Sequence, residues 1–391
     1  MATSFCGENN GGNRMARCHP CDIGLGRVAD AKPSGTANDA GEPDAPLVIG
    51  LTCVGAIRAQ SRNNVESRRK EMSFTSVEIC TGAGGQARGL ELAGFDHLAL
   101  VEIEPPACST LRLNRPEWNV IEGDVRQFSA SGFKGVDLVA GGVPCPPFSK
   151  AGKQLGGDDE RDLFPEAIRL VDEARPKAVM LENVRGLLDA VFEDYRSKVE
   201  RQLKKLGYKT AWRLLNASDF GVPQLRPRVI FVGLHKDYAD YFHWPLPLDE
   251  EPPTVGECLY DLMGANGWRG VDRWKEQANS IAPTLVGGSK KHGGPDLGPT
   301  RAKRAWAQLG VDGKGLADDA PARDFVGMPR LTPRMTARLQ GFDDDWQFSG
   351  RKTAAYRQIG NAFPPPVARA VGQRIVSALN AASSRRVKKA A

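Results

Sequence analysis

A mixed α/β fold on a largely parallel, doubly wound sheet is what this 391-residue chain predicts, and three stretches predict it. Residues 74–80 form a short strand-like run, followed by the glycine turn 81–85 and a helical pattern over 86–93 that stops at Gly94. Residues 136–140 form a β-branched run closed by Gly141 and Gly142. Residues 178–181 form a buried apolar run, reached through a helical stretch over 165–174 that Arg175-Pro176 ends. Strands that alternate with helix-length patterns build parallel units. Sheets of this kind keep their ligand clefts at the carboxyl ends of the strands.

Composition sets wide bounds. A hydrophobic content of 41% suffices for a core, and the length allows two domains or one with an insertion. The formal charge of +6 includes Arg385, Arg386, Lys388 and Lys389, so any argument for nucleic acid rests on local patches. Eight scattered cysteines and no secretory signal point to a reducing compartment, hence the cytoplasm. Cys18-His19-Pro20-Cys21 is half a zinc site without a second pair, so no metal is expected. The apolar run over 47–57 is too short to cross a bilayer, and no membrane role is expected.

The elements follow in order. Residues 1–72 mix small and polar residues with little periodicity and read as a disordered extension. The first unit offers Gly82, Gly84 and Gly85, where a backbone can approach a ligand and a helix N-terminus presents N–H groups. The strand over 97–101 ends in Glu102, which can accept hydrogen bonds from two ribose hydroxyls, and Ile103 can cover the face of a base. The short strand over 119–121 leads to Asp124, placed to accept from an exocyclic amino group. Residues 143–149 then present Cys145 from a loop stiffened by Pro144, Pro146 and Pro147. Ser149 and Lys153 begin a glycine-rich segment suited to closing over a substrate. The next strand delivers Glu182 and Asn183, and an amphipathic helix with a basic face covers 192–206. Strands over 212–215 and 229–232 bracket Gln224, Arg226 and Arg228, with the two guanidinium groups on one strand face.

The segment Pro144-Cys145-Pro146-Pro147-Phe148-Ser149 resembles the nucleophile loop of the cytosine-C5 DNA methyltransferases. Glu182-Asn183-Val184, the Gln224-x-Arg226-x-Arg228 pattern and residues 356–365 resemble further motifs of that family, in its order, from about Ser73 to Leu379. The resemblance implies a Rossmann-like sheet that binds S-adenosylmethionine, with a smaller, mostly irregular DNA-recognition domain inserted before the last motif. The resulting division is 73–235 catalytic, 236–325 target-reading, 326–380 catalytic again and 381–391 a basic tail.

The implied reaction is methylation of C5 of a flipped-out cytosine in a specific duplex sequence, by a restriction-modification or orphan modification methylase. Cys145 would add to C6 and Glu182 assist at N3, while Asn183 holds the loop and Arg226 and Arg228 fix the base. By the same resemblance Gly82, Gly84, Gly85, Glu102, Ile103, Asp124, Pro144, Leu163 and Asn361 would hold the methyl donor. Ser149, Lys153, Gln224, Lys290, Lys291, Arg301 and Arg304 would contact DNA. The final helix is expected beside the first strand, bringing Asn361 to the cofactor.

Two departures stand out: Glu78-Ile79-Cys80 replaces the usual Asp-Leu-Phe, and Pro146 replaces a frequent Gln. A monomer on double-stranded DNA is expected, with any cognate endonuclease sharing the site without binding the chain. Rival readings are a methylase of structured RNA, a nonenzymatic DNA-binding relative and a dinucleotide oxidoreductase. The long variable segment disfavours the first, and the intact Cys145, Glu182 and Gln224-x-Arg226-x-Arg228 set disfavours the other two.

Overall fold

The computed structural model describes residues 73–144, 162–288 and 294–390. Seven strands form one sheet: β1 Phe74–Ile79, β2 Phe95–Glu102, β3 Val120–Glu122, β4 Leu138–Gly141, β5 Ala178–Val184, β6 Tyr208–Asn216 and β7 Pro227–His235. Their spatial order is β3-β2-β1-β4-β5-β7-β6. The first five run parallel, and β7 pairs antiparallel with both β5 and β6. The chain leaves β1 toward β2 and β3, then returns to β4 on the other side of β1. That reversal opens a crevice at the carboxyl ends of β1 and β4.

Helices α1 Gly85–Ala93, α2 Pro105–Asn114, α3 Phe164–Ala174 and α4 Glu193–Lys205 belong to the sheet. In α3 the buried Phe164, Ala167, Ile168, Leu170, Val171 and Ala174 recur at helical spacing, which lays one apolar stripe on the sheet. Asp162 accepts from the Phe164 N–H at its start, and Arg175 in a left-handed conformation ends it before Pro176.

Beyond β7, among the described residues, come four short helices, α5 Lys236–Ala239, α6 Val255–Met263, α7 Val271–Gln277 and α8 Thr300–Gln308. A capping box between Thr254 and Glu257 starts α6. Here Val255, Leu259, Met263, Trp268, Trp274 and Trp306 pack together in a core that Leu331, Met335, Leu339 and Tyr356 of the returning chain share. The weak periodicity of the segment thus reflects short helices gathered around tryptophans.

The chain returns through α9 Pro333–Leu339, α10 Lys352–Asn361 and α11 Pro365–Ala390. The last helix does not lie directly beside β1, as expected, but on α1. A Cβ on Gly89 would run into Pro365 O and Ala368, and one on Gly372 into Leu90 and Ala93, so two glycines let the helices close. Its Val367, Val371 and Ile375 share a core with Phe95, Leu138, Ala140 and Met180. No helix among the described residues is long and apolar enough to cross a membrane.

Candidate active site

The crevice holds a cavity of about 610 Å³, lined from every parallel strand. Cys80, Thr81 and Gly82 follow β1, Glu102 and Ile103 end β2, Asp124 follows β3, Gly142 and Pro144 follow β4, and Glu182 comes from β5. Leu163, Asn361, Ala362 and Phe363 complete the wall.

Glu102 is held rigidly. One carboxylate oxygen accepts from the Gly82 N–H at 2.6 Å and the other from the Glu104 N–H at 2.8 Å. Burial raises its carboxyl above the usual range, and these backbone donors oppose the rise. The fixed carboxylate faces the cavity with lone pairs to spare, as a ribose ligand requires. Ile103 lines the cavity yet is 56% exposed, an apolar face without a cover. Asp124 caps a short turn through the Arg126 N–H and pairs with the Arg126 guanidinium at 2.6 Å. Cys80 takes a left-handed conformation, φ 51°, and burial among Glu102, Asp124 and Glu78 pushes its thiol up to about 12.

Gly82, Gly84 and Gly85 do different jobs. Gly82 lines the cavity with φ 58° and donates to Glu102. Gly84 and Gly85 do not line it. A Cβ on Gly84 would strike Leu111 and Trp346, and one on Gly85 the carbonyl of Phe363, so both are packing glycines. That corrects the expectation that all three hold the ligand.

At the other end, Glu182 and Arg228 meet across β5 and β7. Val184 is opposite Arg228, which makes Glu182 and Arg228 diagonal neighbours on one face. Arg228 Nε lies 2.8 Å from Glu182 Oε1, and both side chains are 13% exposed. Burial pushes the Glu182 carboxyl up, while Arg228 and then Arg226 pull it down. Asn183 donates from Nδ2 to Val143 O at 2.9 Å, tying β5 to the segment that leads into Cys145. Pro144 O accepts from the Leu163 N–H at 3.2 Å. Cys145, Ser149, Lys153, Lys290 and Lys291 lie outside the described residues.

Gln224 and Arg226 correct the sequence expectation. Arg226 is 0% exposed and precedes β7, with Pro227 between it and the strand face that Arg228 occupies. Its guanidinium donates to Leu285 O at 2.8 Å, Gly360 O at 2.7 Å and Ala362 O at 3.0 Å. The Gln224 side chain accepts from the Leu285 N–H at 2.9 Å and donates to Leu339 O at 3.0 Å and Gln340 Oε1 at 2.7 Å. Gln340 in turn donates to Ala362 O. These side chains form a buried clasp among three returning segments and face protein, not a base or a phosphate. Only a tertiary contact map could show it, because the local pattern of alternating charges is the same either way.

The clasp is reinforced by two interlocked glycines. A Cβ on Gly360 would run into the Gly287 backbone, and one on Gly287 into Arg357 O and Asn361. Asn361 donates from Nδ2 to Gly288 O at 3.2 Å, and both residues line the cavity. Arg301 and Arg304 are exposed on α8, opposite the buried Trp306.

Sequence reasoning passed over Glu78 and Gln86. Both line the cavity, at 0% and 3% exposure, and neither has a hydrogen-bond partner on its side-chain polar atoms among the described residues. The signal was present: a glutamate between the core residues Val77 and Ile79 of a buried strand needs a partner or a ligand. Among the described residues no cluster of His, Cys, Asp and Glu could hold a metal ion.

The family described as C-5 cytosine-specific DNA methylase matches residues 74–377. This chain belongs to that family. It is a DNA cytosine-C5 methyltransferase with the Rossmann-like α/β fold of that group. The type II methyltransferase M.NgoMIV of Neisseria gonorrhoeae is 62% identical over 311 residues, 79% of this chain and 99% of that one. The type II methyltransferase M.NaeI of Lentzea aerocolonigenes is 59% identical over 314 residues, 79% of this chain and 76% of that one. Among solved structures, a candidate DNA modification methyltransferase from an E. coli prophage is 26% identical, covering 79% of this chain and all of its own, with TM-score 0.57. The Dnmt2 methyltransferase of S. pombe shares the fold at 18% identity, 79% and 99% coverage and TM-score 0.52.

Proposed function

We propose that this methyltransferase takes the methyl group of S-adenosylmethionine and places it on C5 of a flipped-out cytosine in a specific duplex DNA sequence, as the modification enzyme of a type II restriction-modification system. The observation that carries the reading is the alignment along one cavity of Asp124, Glu102, Pro144 and Glu182, in the order of the strands that bear them. The two type II relatives support the restriction-modification part.

The residues fit such a donor. Glu102, fixed by two backbone N–H groups, suits a ribose diol, and uncovered Ile103 suits an adenine face. Asp124 suits the adenine amino group, and Asn361 closes the wall from α10. When bound, the donor supplies an electrophilic methyl group.

The chain's own groups then prepare the base. Cys145 follows Pro144 in sequence, and its thiolate adds to cytosine C6, which pushes negative charge toward N3. Glu182, kept toward its protonated form by burial and oriented by Arg228, donates a hydrogen bond at N3. C5 becomes nucleophilic and takes the methyl group, and loss of the C5 proton breaks the thioether to release the product. Arg228, not Arg226, is the guanidinium available to the base. The surface of α8 together with Lys290 and Lys291 approaches the duplex, with Arg301 and Arg304 neutralising phosphates.

Duplex DNA carrying 5-fluorocytosine tests this reading, since fluorine at C5 blocks the last elimination. With S-adenosylmethionine, wild type forms an adduct stable to denaturant. Cys145→Ser forms none, and Glu182→Gln forms it at least a hundredfold more slowly. Adduct on structured RNA but not on any duplex would replace DNA as substrate, and adduct in Cys145→Ser would remove Cys145 as nucleophile.

A further inference from the structure

The two backbone carbonyls that precede Cys145 are each held. Val143 O accepts from the Asn183 side chain at 2.9 Å, and Pro144 O accepts from the Leu163 N–H at 3.2 Å. A peptide unit is planar, so a hydrogen bond on Pro144 O sets the plane in which the chain passes to Cys145. The first hold comes from β5, the strand that carries Glu182. The second comes from Leu163, directly before α3.

Leu163 is itself fixed from both sides. Phe164 is buried in the core on one side, and on the other the buried Asp162 turns its carboxylate onto the Phe164 N–H at 3.1 Å. The same carboxylate accepts from the Tyr195 hydroxyl, which lies 2.7 Å from one oxygen and 2.8 Å from the other. Tyr195 stands in the first turn of α4, and its ring meets that of Phe164 edge-on with centroids 5.9 Å apart. Ring and hydroxyl together bracket Leu163 at its two neighbours.

A helix cap needs only the aspartate. The tyrosine adds a tie across the sequence, because α4 follows β5 through two short turns while Asp162 precedes α3. One hydroxyl thus joins the element that comes after Glu182 to the residue that comes before Leu163. Leu163 also lines the cavity, so the tie bears on the nucleophile's approach and on the cavity wall at once.

We propose that Tyr195 and Asp162 are positioning residues for the nucleophile: they hold Leu163, hence the Pro144 carbonyl and the peptide that leads to Cys145, where the thiolate reaches C6. This rests on the reading of Cys145 given above. Neither residue touches the reacting atoms, and both act through Leu163 and Pro144. A misplacement of about 1 Å can cost about a hundredfold in rate, and the loss of one tie among several should cost roughly tenfold.

The rate of adduct formation in a single turnover, on duplex DNA carrying 5-fluorocytosine with saturating S-adenosylmethionine, tests the proposal. Tyr195→Phe keeps the ring and removes only the O–H donor. It should slow the adduct roughly tenfold while S-adenosylhomocysteine affinity and melting temperature stay close to wild type. Asp162→Ser keeps an oxygen to cap α3 but falls short of Tyr195, and should slow the adduct as much. Asp162→Asn retains one side-chain oxygen for both donors and should lose less than the serine variant. Tyr195→Phe combined with Asp162→Ser should be no slower than either alone, since the two residues act as one tie. Losses that add in the double variant, an unchanged adduct rate in Tyr195→Phe, or rate, affinity and melting temperature falling together would overturn the proposal and leave Cys145 as nucleophile. A wild type that forms no adduct would overturn the reading of Cys145 itself.

Discussion

The cavity and the Gln224–Arg226–Gln340 clasp stand side by side, and they treat buried polar groups in opposite ways. In the clasp, a guanidinium and two amides meet the carbonyls of Leu285, Leu339, Gly360 and Ala362. In the cavity, Glu78 and Gln86 meet nothing among the described residues. Both regions are equally secluded, so burial does not separate function from structure. Satisfaction does: in the clasp the Arg226 Nε alone lacks a partner among the described residues, whereas Glu78 and Gln86 leave all four of their side-chain polar atoms open.

The largest test of that contrast is Arg226→Met. Three buried hydrogen bonds are lost, leaving Leu285 O and Gly360 O without this donor and Ala362 O with Gln340 alone, at about 1 kcal/mol or more each, so urea unfolding should show a loss of about 3 kcal/mol or more. A loss below about 1 kcal/mol would mean that the clasp is not what joins these segments. Gly360→Ala comes next. Its Cβ meets the backbone of Gly287, which cannot yield as a side chain could, and overpacking of this kind costs about 1–3 kcal/mol. Weaker S-adenosylhomocysteine binding should accompany it, because Gly288 and Asn361 line the cavity; intact binding would separate the interlock from the cofactor.

Glu78→Gln should do the reverse and stabilise the free protein. Burial, then Glu102, raise the folded-state value of Glu78, so the folded protein holds this proton more tightly than the unfolded chain. Its destabilising effect is absent in the acid range and grows as pH rises toward that raised value. Melting curves from about pH 5 to about pH 8 should therefore diverge in favour of the variant, and parallel curves would show that Glu78 has a partner. The smallest effect is expected for Arg301→Ala with Arg304→Ala. Stability should change by no more than about 0.5 kcal/mol, while the salt slope of DNA binding falls by about 2 and all sequences weaken alike. A change confined to one sequence would make these residues readers of bases.

The sheet was legible in the sequence because its strands are continuous apolar runs and its turns carry glycines. Glu102, Ile103, Asp124, Pro144, Leu163, Glu182 and Asn361 meet at one cavity, since strand ends in a doubly wound sheet are neighbours whatever their separation along the chain. Two groups were misread for the same physical reason. A pattern such as Gln224-x-Arg226-x-Arg228 fixes which residues alternate but not what packs against each face, and Arg226 lies just before β7, buried in the clasp, while Arg228 lies on the strand beside Glu182. Gly84 and Gly85 look like ligand glycines by spacing, yet the return of Trp346 and Phe363, more than two hundred residues later, decides their role. Glu78 was read only as a substitute in a motif, when its place between two core residues already marked it as a group in need of a partner.

The glycine pair at Gly287 and Gly360 bears on how such enzymes could be recombined. The stretch proposed to read DNA is an insertion, and exchanging it between relatives is an obvious route to new sequence preference. The seam of such a graft runs through a contact that admits no side chain on either face. A donor segment cut before residue 287 would bring its own residue to that seam, and only glycine fits. A cut placed beyond Gly288 leaves the lock, the hydrogen bond to Asn361 and the wall of the cavity with the recipient, but it divides the core in which Val255, Trp268 and Trp274 pack with Trp306, so a graft of that whole core has to carry glycine at 287.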